Sequence, residues 1–264
     1  MVELITGFDI GGAHLKVAQV APGGRVAAVT QIPCELWLGL DRLEEAFRTA
    51  VARMAPMRRV AVTMTGELAD LFPDRATGVA RLLEAMAAAL PESNRHIWAG
   101  RHGFVDGGHT AGLEAAIASA NWLASATLAA RRLGNGLFVD LGSTTTDILV
   151  LADGEVRAEG LTDRQRLISG ELVYTGLTRT ALMAVAGSAP FAGRSVALAN
   201  ELFATMADAY RVLGLLPEEA DQHGTADGGP KTVEASARRL ARMVGADLAE
   251  GSPADWRRLA AWFA

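Results

Sequence analysis

Several features that mark particular classes of protein are missing from this sequence. It contains a single cysteine, Cys34, which excludes an internal disulfide or a cysteine-based zinc site and suits a reducing cytoplasm. No stretch of about 18 uncharged apolar residues occurs, and Met1-Val2-Glu3-Leu4 is not a basic segment followed by an apolar run. We therefore expect a cytoplasmic protein that is neither exported nor membrane-spanning.

Positive charge and aromatic residues are also scarce. The 25 basic and 30 acidic residues give a net charge of −5, so the strong positive field that sequence-independent nucleic-acid binding needs is absent. We expect no nucleic-acid partner. Aromatic residues make up 6% of the chain, whereas half of it is hydrophobic, a composition typical of an α/β protein. A length of 264 residues fits one compact unit or two linked lobes.

Short apolar runs between glycine turns predict two β-meanders, and apolar residues at helical spacing predict the helices. The strands are expected at residues 4–10, 16–20, 25–32, 59–64, 96–99, 137–141, 147–151 and 155–158. The helices are expected at residues 41–55 with Asp41 as the N-cap, then at 77–90, 110–133, 171–185, 196–213, 233–244 and 254–262, with a long loop at 217–230.

An internal repeat organises the chain. The segment from Asp9 to Val17 aligns with the segment from Asp140 to Ile148, with an acid at the end of a strand and a glycine two residues later in both copies. We therefore predict two duplicated α/β lobes, residues 1–134 and residues 135–264, the second with a mainly helical C-terminal part. Duplicated lobes that pack about a pseudo-twofold axis would bring Asp9 and Asp140 towards each other across a cleft.

The two repeated loops suit a metal-bound phosphate. Glycines let backbone N–H groups converge on an anion, and an acid before them can hold a divalent cation, usually through water. The spacing is not that of a P-loop. The alternative is that the glycines only form hairpin turns and that the threonines are ordinary strand residues. The expected diphosphate-binding residues are Gly11, Gly12, Lys16, Gly142, Ser143, Thr144 and Thr145.

Lys16 and four further residues are candidates, and all but Asn121 have an alternative interpretation. Lys16 either points at the phosphate or lies on the surface of an edge strand. Glu67 either holds a metal through water, acts as a base, or compensates a helix dipole. Asn121, inside an apolar helix, is a candidate to bind the substrate, because a buried amide needs partners. Arg164 and Arg179 either bind a diphosphate or carboxylate of the substrate or are solvated surface residues.

The paired loops also carry a resemblance to known proteins. They resemble the two phosphate motifs of the acetate kinase, sugar kinase, actin and chaperone ATPase superfamily, and within it the hydantoinase/oxoprolinase-like branch. More narrowly, the chain is similar to a family associated with tetrahydromethanopterin-linked one-carbon transfer, which includes an archaeal member that acts in methanofuran synthesis. The matching segments are residues 9–16, 63–70, 120–122, 139–147, 171–180 and 226–229.

This resemblance implies an α/β fold of duplicated actin-like ATPase (ribonuclease H-like) lobes, and it implies a transferase. A furanylmethyl diphosphate would ionise, and the phenol oxygen of a tyramine-type acceptor would capture its carbon. Mg²⁺ would lie between Asp9 and Asp140, with Asp147 as a further ligand, while Lys16 and the loop amides bind the diphosphate and Glu67 serves as the base. The catalytic residues would thus be Lys16, Glu67 and Asp140.

Two other functions stay open. One is an ATP-dependent kinase or hydantoinase-like enzyme of one-carbon metabolism, and the other is a non-catalytic partner of that pathway. Superfamily members usually continue into a strand and a glycine-rich turn that closes the nucleotide side, and the sequence holds no such segment, through natural shortness or truncation. Either case counts against an adenine pocket. The expected partners are small molecules, and the assembly stays open between a monomer and a homodimer.

Overall fold

The structure, a computed structural model, describes residues 4–264. Met1, Val2 and Glu3, which entered the expectation about export, lie outside the described residues. The chain packs as two compact units. The first comprises the residues up to Phe138 together with Leu149–Arg166, and the second comprises Val139–Ile148 and Leu167–Ala264. The chain therefore passes from one unit to the other after residues 138, 148 and 166, and a single boundary after residue 134 stays a prediction.

The first unit contains a six-stranded sheet in the order β3-β2-β1-β4-β5-β6. Strand β1 is antiparallel to β2 and parallel to β4, and Ile10 pairs with Met64. The predicted meander is confirmed, and β1 and β4 end side by side at one edge of the sheet. The strands are β1 (Ile5–Ile10), β2 (His14–Val20), β3 (Val26–Pro33), β4 (Arg59–Met64), β5 (Asn94–Trp98) and β6 (Phe104–Asp106), the last of which the sequence did not predict.

Two helices, α1 (Leu40–Arg53) and α2 (Arg75–Ala89), contribute buried faces to the core of this unit. Both begin slightly earlier than predicted. The N-cap of α1 is Gly39 and not Asp41. Gly39 has a φ of 146°, a conformation that favours glycine. Asp41 lies in the first turn, where its negative charge interacts favourably with the helix dipole. The N-cap of α2 is Asp74, whose side chain accepts a hydrogen bond from the backbone N–H of Thr77 at 2.8 Å.

The predicted helix over residues 110–133 is wrong in one respect that matters for the site. The structure has two helices there, α3 (Glu114–Ile117) and α4 (Asn121–Leu133), separated by a break at Ser119. Ser119 has a φ of 50°, in the left-handed region, so the helical hydrogen bonds cannot continue through it. The alanine-rich composition favours a continuous helix, but the tertiary contact of Ser119 with Glu67 overrides this local preference.

The second copy of the repeat forms a hairpin of strands β7 (Gly136–Leu141) and β8 (Thr146–Ala152). The loop end of this hairpin belongs to the second unit, and the far ends of both strands belong to the first. The sheet order is β10-β8-β7, with β9 (Glu155–Val156) also paired to β8 and β10 at Leu172–Val173. Helix α5 (Asp163–Ser169) comes between β9 and β10. The predicted Asp153-Gly154 turn is confirmed, with both residues at positive φ.

The helical prediction for the C-terminal part is half right. Helices α8 (Val233–Met243) and α9 (Pro253–Phe263) agree with it. The predicted helices at residues 171–185 and 196–213 are confirmed only at their C-terminal ends, by α6 (Leu182–Val185) and α7 (Met206–Leu213). The earlier residues of these segments hold β10, a loop and part of the hairpin of β11 (Ser188–Phe191) and β12 (Arg194–Ala197). The turn of this hairpin, with Ala192 and Gly193 at positive φ, lies between the two predicted helices.

Packing of α7 against α8 and α9 forms the core of the second unit. Leu240 and Ala241 of α8 are fully buried, and Phe191 of β11 stacks on Trp256 of α9 with 4.9 Å between ring centroids. The remaining helical turns of the described residues are short 3₁₀ helices at Leu36–Leu38, Gly66–Leu68, Gly100–His102, Glu218–Ala220 and Leu248–Glu250. The fourth of these lies inside the long loop predicted at residues 217–230.

Candidate functional site

The first repeated loop presents Asp9 at the end of β1. Lys16 is the cross-strand partner of Asp9, and its Nζ lies 3.1 Å from Asp9 Oδ2. Thr63 on β4 donates to Asp9 Oδ1 at 3.3 Å. The Lys16 side chain is 56% exposed and that of Asp9 is 23% exposed, so this ion pair contributes little to folding.

The second repeated loop closes in the same way as the first. The backbone N–H of Gly11 donates to the carbonyl of His14 at 3.0 Å, and the N–H of Gly142 donates to the carbonyl of Thr145 at 2.8 Å. A Cβ on Gly11 would lie 3.0 Å from its acceptor, and one on Gly142 would lie 3.2 Å from its own, so both positions favour glycine. The sequence repeat therefore corresponds to a structural repeat.

The two hairpins differ in the residue that aligns with Lys16. In the alignment of the repeats, Asp147 occupies the place of Lys16, and both loops close through the same backbone hydrogen bond. The first hairpin thus pairs its acid with a lysine, whereas the second has a further acid at the aligned place.

Three loop amides remain available for an anion. The N–H groups of Gly11 and Gly142 are used within their own loops, in agreement with the alternative in which these glycines form turns. The N–H groups of Gly12, Ser143 and Thr144 donate to no group within the described chain. The amides left for an anion are thus that of Gly12 in the first loop and those of Ser143 and Thr144 in the second, and their role in binding diphosphate stays a prediction.

The segment after β10 packs directly on the second loop. The N–H of Leu177 donates to the carbonyl of Gly142 at 3.0 Å, and the N–H of Arg179 donates to that of Ser143 at 2.8 Å. A Cβ on Gly176 would lie 2.6 Å from the backbone of Ser143, so only glycine fits there. Arg179, predicted to bind substrate, also contacts this loop, because its Nη1 donates to Thr144 Oγ1 at 3.4 Å.

Glu67 lies in the 3₁₀ helix just after β4 and is only 2% exposed. Ser119 Oγ donates to Glu67 Oε1 at 2.6 Å, and Oε2 is buried without a hydrogen-bond partner among the described residues. Burial raises the pKa of Glu67, opposed in part by the Ser119 hydrogen bond. Glu67 lies in the first turn of this 3₁₀ helix, as the helix-dipole interpretation expects, and its roles as a base or a metal ligand stay predictions.

Asn121 is the first residue of α4, and both the nitrogen and the oxygen of its side-chain amide form hydrogen bonds. Its Nδ2 donates to Asp9 Oδ1 at 3.4 Å, and its Oδ1 accepts the backbone N–H of Trp122 at 2.8 Å. The predicted need for partners is therefore met at Asp9 itself. Asn121, Lys16 and Thr63 together surround the carboxylate of Asp9 with donors.

Helix α5 brings a buried arginine, Arg166, to the first unit, and from the sequence this residue, like Arg164, was expected to meet a diphosphate or a carboxylate or to be solvated surface. Arg166 is 1% exposed, and its guanidinium lies 3.9 Å from the ring centroid of Trp122. Arg164, the predicted substrate ligand, is exposed on the same helix, and its role stays a prediction. A signal for this helix was present: Thr162 and Gln165 have the spacing of a capping box, and Gln165 Oε1 accepts the N–H of Thr162 at 3.2 Å.

No group of three or more His, Cys, Asp or Glu side chains that could hold a metal occurs in residues 4–264. Mg²⁺, however, usually takes one or two carboxylates and completes its shell with water and phosphate oxygens. The donor set of Asp140 and Asp147 fits that requirement, and the contribution of Asp9 stays a prediction. Cys34 is buried, and desolvation raises its pKa to about 11, which leaves the thiol unreactive at neutral pH.

Among the described helices, none is both long and apolar enough to cross a membrane. The fold-class prediction is confirmed. Over 95% of this chain and 60% of the other, the structure is similar to nucleotide-free acetone carboxylase, with a TM-score of 0.50 and 10% identity. At that identity the likeness shows the fold alone.

Two archaeal proteins are related in sequence, and both are named "(4-{4-[2-(gamma-L-glutamylamino)ethyl]phenoxymethyl}furan-2-yl)methanamine synthase". The one from Methanocaldococcus jannaschii is 32% identical over 94% of this chain and 73% of its own length. The one from Methanococcus vannielii is 35% identical over 43% of this chain and 51% of its own length. The family model for hydantoinase/oxoprolinase matches residues 58–260, so the chain belongs to the hydantoinase/oxoprolinase family.

Proposed function

We propose that this protein is a transferase of methanofuran-type cofactor biosynthesis. It would join a furanylmethyl diphosphate to the phenol of a tyramine-type acceptor and release diphosphate. The observation that carries the proposal is the similarity to the Methanocaldococcus jannaschii synthase along 94% of the chain. The name of that relative's product contains a phenoxymethyl-furan ether, which is the bond this reaction would form.

Lys16 is a proposed ligand of the diphosphate. Its exposed ammonium already pairs with Asp9 at 3.1 Å, and it carries three donors, so it can contact an anion while keeping that partner. In the reaction the bond between the furanylmethyl carbon and the bridging oxygen breaks, and its electron pair stays on the diphosphate. A fixed cation next to that oxygen stabilises the charge that grows there.

Asp140 and Asp147 are the proposed ligands of Mg²⁺. When bound, the ion would neutralise part of the negative charge on the leaving diphosphate. The free amides of Ser143 and Thr144 and the Thr144 hydroxyl would bind the remaining diphosphate oxygens. Arg179, which contacts Thr144 at 3.4 Å, would add a cation to the same loop.

Glu67 is the proposed base. The phenol oxygen forms a bond to the furanylmethyl carbon, and its proton passes to the Glu67 carboxylate, so the products are the aryl ether and diphosphate. Burial raises the pKa of Glu67, which makes its carboxylate a better proton acceptor than an exposed one. Its unpartnered Oε2 leaves a lone pair for that proton.

Steady-state kinetics with a furanylmethyl diphosphate and a phenolic amine test this proposal. We expect Lys16→Ala and Asp140→Asn each to lower kcat by at least ~100-fold with a smaller change in KM, because both stabilise charge that grows in the transition state. Thr144→Ala, the matched control in the same loop, should lower kcat by about 10-fold or less, since one neutral hydrogen bond is lost. Equal small effects in all three variants, or ATP hydrolysis without ether formation in the parent, would contradict the proposal.

A further inference from the structure

The break between α3 and α4 is an unfavourable conformation that something must maintain. Ser119 is 7% exposed and has a φ of 50°, where a residue with a Cβ is rarely found. Glycine would adopt this conformation freely, and the sequence places a serine there. Strained residues of this kind persist when surrounding contacts hold them, and they concentrate at functional sites.

The contacts at this break reach the ends of both central strands. Ser119 Oγ donates to Glu67 Oε1 at 2.6 Å, just after β4. Two residues later, Asn121 Nδ2 donates to Asp9 Oδ1 at 3.4 Å, near the end of β1. In a continuous helix these two side chains would lie about 160° apart around the helix axis, on nearly opposite faces. The break is what lets both point towards the two acids.

The backbone of Glu67 is fixed from the opposite side. A Cβ on Gly78 would lie 2.7 Å from the Glu67 carbonyl oxygen and 2.9 Å from its Cα, so α2 packs directly against this residue. A Cβ on Gly66 would lie 3.2 Å from the carbonyl oxygen of Ile10, which holds the same turn against the first loop. With the backbone held on both sides, the side chain of Glu67 retains freedom mainly at its carboxyl group.

Two charged groups act on this carboxyl besides the serine. Arg75 of α2 lowers the pKa of Glu67 and Asp163 of α5 raises it, and these two residues pair with each other at 2.7 Å. Arg75 and Asp163 thus act on the pKa of Glu67 in opposite directions. The group that donates directly to the carboxyl is the neutral hydroxyl of Ser119. The hydroxyl occupies Oε1, and Oε2 is left buried without a partner among the described residues.

We propose that Ser119 is a positioning residue, whose hydroxyl holds Glu67 Oε1 so that Oε2 receives the proton of the phenol. This inference rests on the proposed function. The proton leaves the phenol oxygen as that oxygen bonds to carbon, binds to Oε2, and passes to water before the next turnover. Ser119 itself gains and loses no proton in the reaction and touches no substrate.

Three variants separate the hydroxyl from the backbone break. Ser119→Ala removes the hydroxyl and keeps the strained conformation, whereas Ser119→Gly removes the hydroxyl and relieves the strain. Ser236→Ala is the matched control, because Ser236 is also a buried serine that donates to a buried acid, Asp208, at 2.8 Å. If Ser119 served only as a chain break, Ser119→Gly would behave as the parent does.

The readout is the acidic limb of kcat/KM against pH. Loss of a donor to the ionised form raises the pKa of Glu67, so we expect both Ser119 variants to move this limb upward by about half to one pH unit. Ser236→Ala should leave the limb in place. An unmoved limb in Ser119→Gly would overturn the inference.

A second measurement separates failure of the inference from failure of the proposed function. The titration of Glu67 in the free protein can be followed by carbon NMR of labelled glutamate carboxyls, assigned with Glu67→Gln. We expect the midpoint to rise in Ser119→Ala and Ser119→Gly, whatever the substrate is. A shifted midpoint without ether formation in the parent would keep the contact and reject the proposed function, whereas an unshifted midpoint would reject the role of Ser119.

Discussion

Two buried acids, Asp208 in the second unit and Glu67 in the first, differ in how many hydrogen bonds their carboxyl oxygens accept. Asp208 is 1% exposed, and Ser236 Oγ and Arg239 Nε each donate to its Oδ1 at 2.8 Å. Its Oδ2 accepts the backbone N–H of Thr205 at 3.0 Å, as part of the capping box of α7. Both oxygens of this carboxylate are therefore satisfied, and a buried cation balances its charge.

Glu67, in contrast, has one satisfied oxygen and one that is buried without a partner among the described residues. The donor that contacts it, Ser119, is neutral. An ionised acid in such a place is unfavourable, because burial without full pairing costs free energy. Asp208 is therefore an acid that stabilises the fold. Glu67 is an acid whose protonation state can change, and only such an acid suits proton transfer.

The largest effect we expect is on stability, from Asp208→Ala. Arg239 and Arg211, 1% and 3% exposed, would each lose a carboxylate partner in the protein interior. Breaking a buried ion pair from one side typically costs about 3–5 kcal/mol. Chemical denaturation of the parent and the variant measures the free energy of unfolding. Glu219→Ala, at an exposed acid of the same unit, is the control and should change it little.

An unchanged unfolding free energy in Asp208→Ala would show that this network contributes specificity and no net stability. Buried ion pairs of that kind are known, and replacing them by apolar groups is often neutral. Asp208→Asn sharpens the test, because the amide keeps the shape of the carboxylate and removes its charge. We expect it to be less harmful than Asp208→Ala, since the cap on Thr205 can be retained.

The second effect concerns how stability depends on pH, and its sign follows from the raised pKa of Glu67. An acid whose pKa is higher in the folded state contributes stability below its unfolded pKa, and this contribution is lost as pH rises through the folded pKa. Glu67→Gln does not titrate. We therefore expect the stability of Glu67→Gln relative to the parent to increase as pH rises above about 4.3, the ordinary glutamate value.

Denaturation of both proteins at several pH values between about 4 and 8 checks this expectation. The same Glu67→Gln variant should lose activity by about 100-fold or more, the usual contribution of a general base. A stability difference that stays constant across that range would mean that the pKa of Glu67 is not raised in the folded protein. A loss of stability together with retained activity would place Glu67 with Asp208 as a structural acid.

The sequence predicted the parts of the molecule that depend on local patterns. The alternation of apolar residues around Asp9 and around Asp140 was sufficient to predict both hairpins, and the repeat between them is confirmed by the matching closures at Gly11 and Gly142. The helix α9 begins at Ser252 with a capping box and a proline in its first turn, signals that are readable without a structure.

The sequence did not predict features set by distant contacts. Ser119 lies 52 residues from Glu67, so local composition favoured an uninterrupted helix through it. Gly176 is excluded from a helix by its approach to Ser143, which is distant in sequence. The ion network around Asp208 depends on residues up to 31 positions away, and sequence spacing gives no sign of it.

The smallest effect we expect comes from Ser236→Ala. Its hydroxyl donates to Asp208 Oδ1 at 2.8 Å and also accepts from Arg239 Nη2 at 3.2 Å. Asp208 keeps Arg239 and Thr205 when the hydroxyl is lost, and Arg239 keeps its bond to the carbonyl of Pro230 at 3.1 Å. The loss is therefore about 1 kcal/mol, the usual net value of one hydrogen bond.

The midpoint of denaturation should fall in Ser236→Ala without a change in the slope, while kcat/KM and its pH dependence stay those of the parent. The chemically identical change at Ser119 should do the reverse, with a moved pH limb and a small change in stability. The reason is that one serine adds a fourth donor to an acid that is already satisfied, and the other supplies the donor to an acid that is not. If both substitutions moved the same quantity, the two acids would not differ in function, and the assignment of Glu67 as the base would lose its physical support.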